Sequence, residues 1–332
     1  MLNYLQKIKG SQDLRLMQAI LLLFVVLSFS TKGFLSLQNL EDVVTSSAFT
    51  GILSMGLLVV LISGGVDISF AATASIAQYT AMTAANQLEL GWIPAVIIFL
   101  LVGVVMGLIN ALLVSYLKLS SIIVTIATQS LFYGLLMSIT NGQDIFALPT
   151  WFNDGVHWVL KTSDEGANYG INLQMIGLAA CMLFTYWLLD KTNIGRQIYA
   201  AGGNTEAARR IGFNVFRLNL IVYGYMGLTA GVAALCHAQM VQSVSPSALV
   251  GRELDVLAAV VLGGASLNGG IGTVSGTILG VTLLAILQNG LALLGISSYW
   301  SPVFTGLVIL LAVALMAHDQ NRPKSALHRK PV

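Results

Sequence analysis

The chain has 332 residues, of which 56% are apolar and only 9% charged, with 33 glycines and a formal net charge of +2. A soluble domain carries about 25% charged residues, so this composition excludes a water-soluble globular enzyme, and its apolar content excludes a disordered chain. Apolar runs of about 20 residues, the helical length that crosses a bilayer core, recur between Leu16 and Ala317, which predicts an all-α polytopic membrane protein.

The first predicted span, 16–31, follows Lys7, Lys9 and Arg15. It is read as a retained helix rather than a signal peptide, because no small-x-small cleavage pattern follows it. Spans 43–63, 68–85, 92–116 and 122–139 complete a first half of about 14–140. Between the second and third spans stands Gly64-Gly65-Val66-Asp67. A charged side chain in hydrocarbon costs about 2.5–3.5 kcal/mol by insertion scales, so Asp67 needs a partner or water. It has two compatible readings: an N-cap on the third span, accepting the Ser69 or Phe70 N–H, and a polar wall of a translocation path. Gln78, Asn110, Gln129, Gln288 and Asn289 are the other polar residues inside spans, and interhelical hydrogen bonds account for such residues. Asp67, Ser69, Asn110, Gln129 and Asn289 are the candidate path residues. Gly103…Gly107 and Gly276…Gly280 predict close helix packing.

Residues 141–170 form a long loop with Trp151, Phe152, His157 and Trp158, read as an interfacial helix with an aromatic belt or a docking surface for an external partner. The second half, 171–317, holds predicted spans 171–189, 218–241, 254–267, 273–294 and 299–317, which brings the count to ten. Cys181 and Cys236 lie in apolar runs and read as buried, inert thiols. Gly251-Arg252-Glu253-Leu254-Asp255 before the eighth span echoes the glycine-plus-acid break before the third. An odd number of spans per half makes the halves antiparallel, so a 5+5 inverted repeat is expected. The apolar run of the eighth span covers about half a bilayer before Gly263-Gly264, so it reads equally as re-entrant.

Between spans six and seven, residues 190–217 contain a short helix with Asn204 as N-cap. Glu206 sits at its positive end, Arg209 and Arg210 at its negative end, and Gly212 stops it. Two turns are marginal alone in water, so this helix must pack on something, either the membrane surface or another subunit. With an inside N-terminus and ten spans, the inner side holds Lys7, Lys9, Arg15, Lys118, Lys191, Arg196, Arg209, Arg210, Arg217, Arg322, Lys324, Arg329 and Lys330. Only Lys32, Lys161 and Arg252 of the 16 basic residues then remain outside, which agrees with the positive-inside rule and puts both termini in the cytoplasm. The sequence contains no G-x-x-x-x-G-K-[ST] phosphate loop and no H-E-x-x-H metal pattern. No cofactor, metal site or nucleic-acid partner is expected.

Four stretches carry a resemblance: Gly202-Gly203-Asn204-Thr205-Glu206-Ala207-Ala208, Ser63-Gly64-Gly65-Val66-Asp67-Ile68-Ser69, 253–264 with Gly269-Gly270-Ile271-Gly272-Thr273, and 287–299. Together they resemble the permease subunits of bacterial monosaccharide ABC importers, the ribose, xylose and autoinducer-2 group. The resemblance implies a single transmembrane permease domain over 1–332, in the bacterial inner membrane, that is not itself an enzyme. It also implies cytoplasmic ABC ATPase subunits, a periplasmic sugar-binding protein and a second permease copy, identical or related. By the same resemblance Gly202, Gly203, Asn204, Thr205, Glu206, Arg209 and Arg210 couple to the ATPase, and Glu253 and Asp255 are candidates to meet the binding protein. A solvated helix start is the plainer account of those two acids. The chain departs from the family pattern at Phe70-Ala71-Ala72, where a Val-Gly-Ser-like step is usual, adding bulk beside the expected path. A branched-chain amino-acid ABC permease and a stand-alone secondary carrier are the alternatives.

Overall fold

A computed structural model describes residues 2–153, 157–162, 168–308 and 310 of the chain. Residues 309 and 311–317 of the predicted tenth span, and the tail with Arg322, Lys324, Arg329 and Lys330, lie outside the described residues. The elements run α1 (Leu2–Ser30), α2 (Leu37–Ile62), α3 (Phe70–Gln87), α4 (Trp92–Leu117), α5 (Ser121–Thr140) and α6 (Thr150–Asn153). Strands β1 (His157–Thr162) and β2 (Asn168–Asn172) come next, then α7 (Leu173–Tyr186), a π-helical turn (Trp187–Lys191), α8 (Asn193–Gly203), α9 (Thr205–Arg210) and α10 (Val215–Val241). Last come α11 (Glu253–Leu262), α12 (Val274–Leu293) and a 3-10 turn (Ser298–Trp300), before a helical stretch over 301–308.

Seven helices among the described residues are long and apolar enough to cross a membrane: α1, α2, α4, α5, α7 with its π turn, α10 and α12. α3 has the length, at 18 residues, without the hydropathy, because it is built largely from Ala, Ser and Thr. Small side chains suit its position: it is packed among α4, α5 and α10 instead of facing lipid. α11 has ten residues, about 15 Å at 1.5 Å per residue, half a hydrocarbon core. The predicted span 254–267 is therefore too long at its C-terminal end, where Gly263 and Gly264 (φ +89°) turn the chain out of the helix.

α2 and α10 form the centre, with 72% of each spanning window buried against 11% for α1. The predicted small-residue contacts hold. Gly103 and Gly107 of α4 let its backbone approach Gly227 and Gly231 of α10, and Gly276 and Gly280 of α12 meet Gly263 and Ala259 beside α11. In each case a Cβ would overlap a backbone carbonyl across the interface. Cys181 and Cys236 are free and buried.

The loop 141–170 differs from its expectation. Its helix is a single turn, α6, and beyond it β1 and β2 pair as an antiparallel hairpin. Phe152 is buried and Trp151 packs edge-on against Trp92 of α4 (ring centroids 5.7 Å), so these aromatics close the end of the bundle instead of forming an exposed belt. Trp158 alone of the described side chains in that group is exposed.

Candidate functional site

The first interrupted element is the stretch 63–69 between α2 and α3. Leaving the helix frees backbone groups that lipid cannot satisfy, and neighbouring protein supplies the partners. Ser121 Oγ of α5 accepts from the Val66 N–H (2.8 Å). One turn on, Thr125 Oγ1 accepts from the Ile68 N–H (3.3 Å) and donates to the Val66 carbonyl (3.2 Å). Asp67 Oδ1 accepts the Ser69 N–H (2.8 Å) and the Ser69 hydroxyl (2.7 Å), and Asn110 of α4 donates its amide to Ser69 Oγ (2.6 Å). Asp67, Ser69 and Asn110 are 2%, 0% and 1% exposed. Three predicted path residues thus form one buried chain of hydrogen bonds inside the bundle, with no side chain open to a path. Asp67 takes the predicted Ser69 N–H, but it stands two residues before the helix cap, which is Ser69.

Residues 190–217 lie at the same end of the bundle. Asn204 Oδ1 accepts from the Ala207 N–H (2.9 Å) to start α9, and Gly212 (φ +91°) ends it. The Gly212 N–H bonds the Arg209 carbonyl and the Phe213 N–H the Ala208 carbonyl, the paired closure of a Schellman motif. Glu206 and Arg209 form an exposed pair at 3.3 Å, with side chains 73% and 59% exposed. The helix is thus locally specified, and its charged face is open.

α8 ends in Gly202-Gly203 against backbone from two other parts of the chain. A Cβ on Gly202 would overlap the Ile62 carbonyl at the end of α2, and one on Gly269 would come within 2.6 Å of the Gly202 carbonyl and 2.7 Å of Gly64 Cα. The Gly270 N–H donates to the Ile62 carbonyl (2.9 Å), and the Tyr199 hydroxyl of α8 donates to the Gly272 carbonyl (2.8 Å). Burial, helped by Asp190, pushes the Tyr199 phenol up to about 12, so it keeps the proton that this bond requires. The α8–α9 segment is joined by backbone contact to the break at 62–65 and to the glycine-rich turn after α11.

The second interrupted element is 242–252, which leads into α11. It returns into the bundle: Val244 forms a β-bridge with Ile145, and the Ser245 carbonyl accepts from Gln78 of α3 (3.2 Å). Glu253 opens α11 and is 7% exposed, with Oε1 accepting from Gln129 of α5 (2.7 Å) and Oε2 from the Gly251 N–H (2.7 Å). Glu253, expected at an outer surface, is therefore turned into the chain. Its carboxylate is buried, and both oxygens are used inside the chain. Gln129, predicted for the path, is its partner.

Asp255 stays half-exposed and lines an open groove of ≈ 360 Å³ between α2, α11 and α12. Asp42, Ser46, Ser47 and Thr50 of α2 contribute from one side, Gln288 and Asn289 of α12 from the other, and Val281 and Leu284 lie among them. Asn289 is thus the predicted path residue that borders a cavity, while its amide donates to Asn39 (2.8 Å). Phe70, the residue of added bulk, lies in the buried core and does not border the groove. Sequence reading missed Asp42, Ser46 and Thr50. Their spacing of four puts them on one helix face, a signal that was present but had no partner to give it meaning. A larger cleft of ≈ 1010 Å³ opens at the α8–α9 end, bordered by Ser63–Gly65, Lys118, Ser121, Thr205, Arg209 and Tyr223.

The sequence is similar to those of known proteins. Residues 39–313 match the family described as branched-chain amino acid transport system / permease component. The ribose import permease protein of Escherichia coli (strain K12) is 33% identical over 297 residues, covering 89% of this chain and 90% of that protein. The corresponding ribose import permease protein of Bacillus subtilis (strain 168) is 34% identical over 307 residues, covering 92% and 91%. The xylose transport system permease protein of Escherichia coli (strain K12) is 31% identical, covering 92% and 91%. No solved structure matches the chain. With the match spanning the apolar helices after α1, both interrupted elements and the α8–α9 segment, the chain belongs to this family of membrane permease components of transport systems.

Proposed function

We propose that the chain is the transmembrane permease of an ATP-driven ABC importer, forming the translocation path for a monosaccharide or sugar-like solute. The observation that carries this reading is the junction at Gly202: an exposed, locally capped helix stands on a segment fused by backbone contact to the α2–α3 break and to the glycine-rich turn after α11. Such a part suits a protein that receives motion from outside the membrane. The chain has no phosphate loop, so hydrolysis belongs to separate cytoplasmic ATPase subunits, which Gly202, Gly203, Asn204, Thr205, Glu206, Arg209 and Arg210 meet. The sugar relatives support a sugar as cargo and a periplasmic sugar-binding protein as its donor.

In this reading 1–332 is one permease domain of ten spans, five and five in inverted orientation, joined by the loop 141–170. The α8–α9 end faces the cytoplasm with both termini, supported by the basic residues Lys118, Lys191, Arg196, Arg209, Arg210 and Arg217 gathered there. α3 and α11, too polar or too short to cross lipid alone, count among the ten because protein surrounds them. A second permease copy, identical or related, completes the path. Asp67, Ser69 and Asn110 brace the α2–α3 break, Gln129 and Glu253 brace the start of α11, and Asn289 and Asp255 border the solute.

The test is uptake into proteoliposomes. With ATPase subunits, binding protein and ATP present, radiolabelled D-ribose or D-xylose accumulates, and it does not without ATP. Accumulation by the chain alone under an ion gradient is the result that removes the reading in favour of a secondary carrier.

A further inference from the structure

The groove between α2, α11 and α12 is lined mostly by polar side chains, although α2 and α12 are apolar helices. Asp42 and Ser46 of α2 and Gln288 of α12 line it on helices apolar enough to span a bilayer. A carboxylate turned toward lipid is costly, so this face meets water or another protein. Asp255, half-exposed at the beginning of the half-length helix α11, comes to the same groove from within the bundle.

The chemistry of the lining is selective. It offers two carboxylates, which accept hydrogen bonds, two side-chain amides, which donate and accept, and three hydroxyls, which do both. No lysine, arginine or histidine is among the lining residues. An anionic or zwitterionic solute would bring its carboxylate against Asp42 and Asp255, and the cation that offsets Asp255, Arg252, is outside the lining. A neutral solute with several hydroxyl groups satisfies each of these side chains. The volume of ≈ 360 Å³ is at the small end of the ~300–1,000 Å³ typical of small-molecule sites. Val281 and Leu284 give the groove an apolar patch against which the C–H face of such a solute can lie.

We infer that this groove is the stretch of the translocation path in which the solute is held, through Asp42, Ser46, Thr50, Asp255 and Gln288. This rests on the reading of the chain as an importer permease. The path therefore runs along a face of the permease, bordered by α2 and α12, and not through the buried Asp67–Ser69–Asn110 network.

The test uses cysteine substitutions in the assembled importer in proteoliposomes, since Cys181 and Cys236 are buried. Thr50→Cys and Gln288→Cys are treated with a charged, water-borne methanethiosulfonate, with Val105→Cys on the exposed face of α4 as the lipid-facing control. The expected result is reaction at positions 50 and 288 but not at 105, with ATP-driven uptake of radiolabelled D-ribose or D-xylose falling at least tenfold on modification. Asp255→Lys should also lower that uptake at least tenfold. Groove cysteines as unreactive as the position-105 control, or modified groove cysteines with undiminished uptake, overturn the inference. Labelling needs no transport, so a variant that fails to transport still reports whether the groove holds water. Absence of ATP-driven uptake in the unsubstituted complex counts instead against the importer reading.

Discussion

The two interrupted elements carry an acid each, yet they are held in opposite ways. At 63–69 the acid acts locally: Asp67 bonds its own Ser69, and the stretch is fixed by α5 hydroxyls and by glycine contact with α8. Where 242–252 leads into α11 the acid reaches across the bundle, with Glu253, the first residue of α11, taking the amide of Gln129, 124 residues away in sequence. One element is joined to the helix whose charged face is open, and the other leads into the polar groove. In the proposed importer, the first is the part that receives force and the second the part that shapes the groove proposed for the solute. Similar glycine-plus-acid sequences thus serve different tasks because their surroundings differ.

The largest expected effect comes from separating the first element from α8. Gly202→Ala puts a Cβ onto the Ile62 carbonyl, which is backbone and cannot rotate away. Overpacking of this kind costs about 1–3 kcal/mol or more, so the thermal midpoint in detergent should fall sharply. Gly203→Ala meets open space and should leave the midpoint within about 1 °C, since surface changes lie near ±0.5 kcal/mol. Equal midpoints for the two would show that the junction is loose.

Next comes the buried acid of the first element. Asp67→Leu leaves the Ser69 N–H and hydroxyl without their acceptor, a loss of about 1–3 kcal/mol, and it should abolish transport. Asp67→Asn keeps an acceptor oxygen and should retain most of both stability and uptake. For the second element, a double-mutant cycle of Gln129→Ala and Glu253→Gln should give a coupling of about 0.5–3 kcal/mol in thermal unfolding. Coupling near zero would mean that the cross-bundle bond does not support α11.

The smallest effect on the fold belongs to the exposed pair on α9. Glu206 and Arg209 are mostly solvated, and such pairs contribute about 0–1 kcal/mol. Glu206→Ala with Arg209→Ala should therefore leave the permease folded while releasing ATPase subunits from the purified complex. A doubly substituted permease that keeps its ATPase and its uptake would show that α9 is not the docking element.

How much of this could be read in advance depended on sequence distance. α9 was legible to its caps because Asn204, Glu206, Arg209 and Gly212 act within two turns. The glycine pairs of α4 and α12 were legible as packing sites, and the shortness of α11 showed in its apolar run. The groove was not legible. Its polar residues come from α2, α11 and α12, and each looks ordinary on its own helix. The burial of Glu253 was hidden for the same reason, since nothing near it in sequence names Gln129. The hairpin at 157–172 was missed because its aromatic residues suggested an interface helix, whereas pairing across the turn decided the outcome.

The central claim is that motion enters at α9 and reaches the α2–α3 break through the glycine contact at Gly202. The direct measurement is the amount of labelled sugar imported per ATP hydrolysed, in reconstituted complexes that remain assembled, for the unsubstituted permease and for Gly202→Ala. The account predicts that hydrolysis continues in the variant while sugar imported per ATP falls at least fivefold. An unchanged ratio, with uptake and hydrolysis lowered together or not at all, would contradict it.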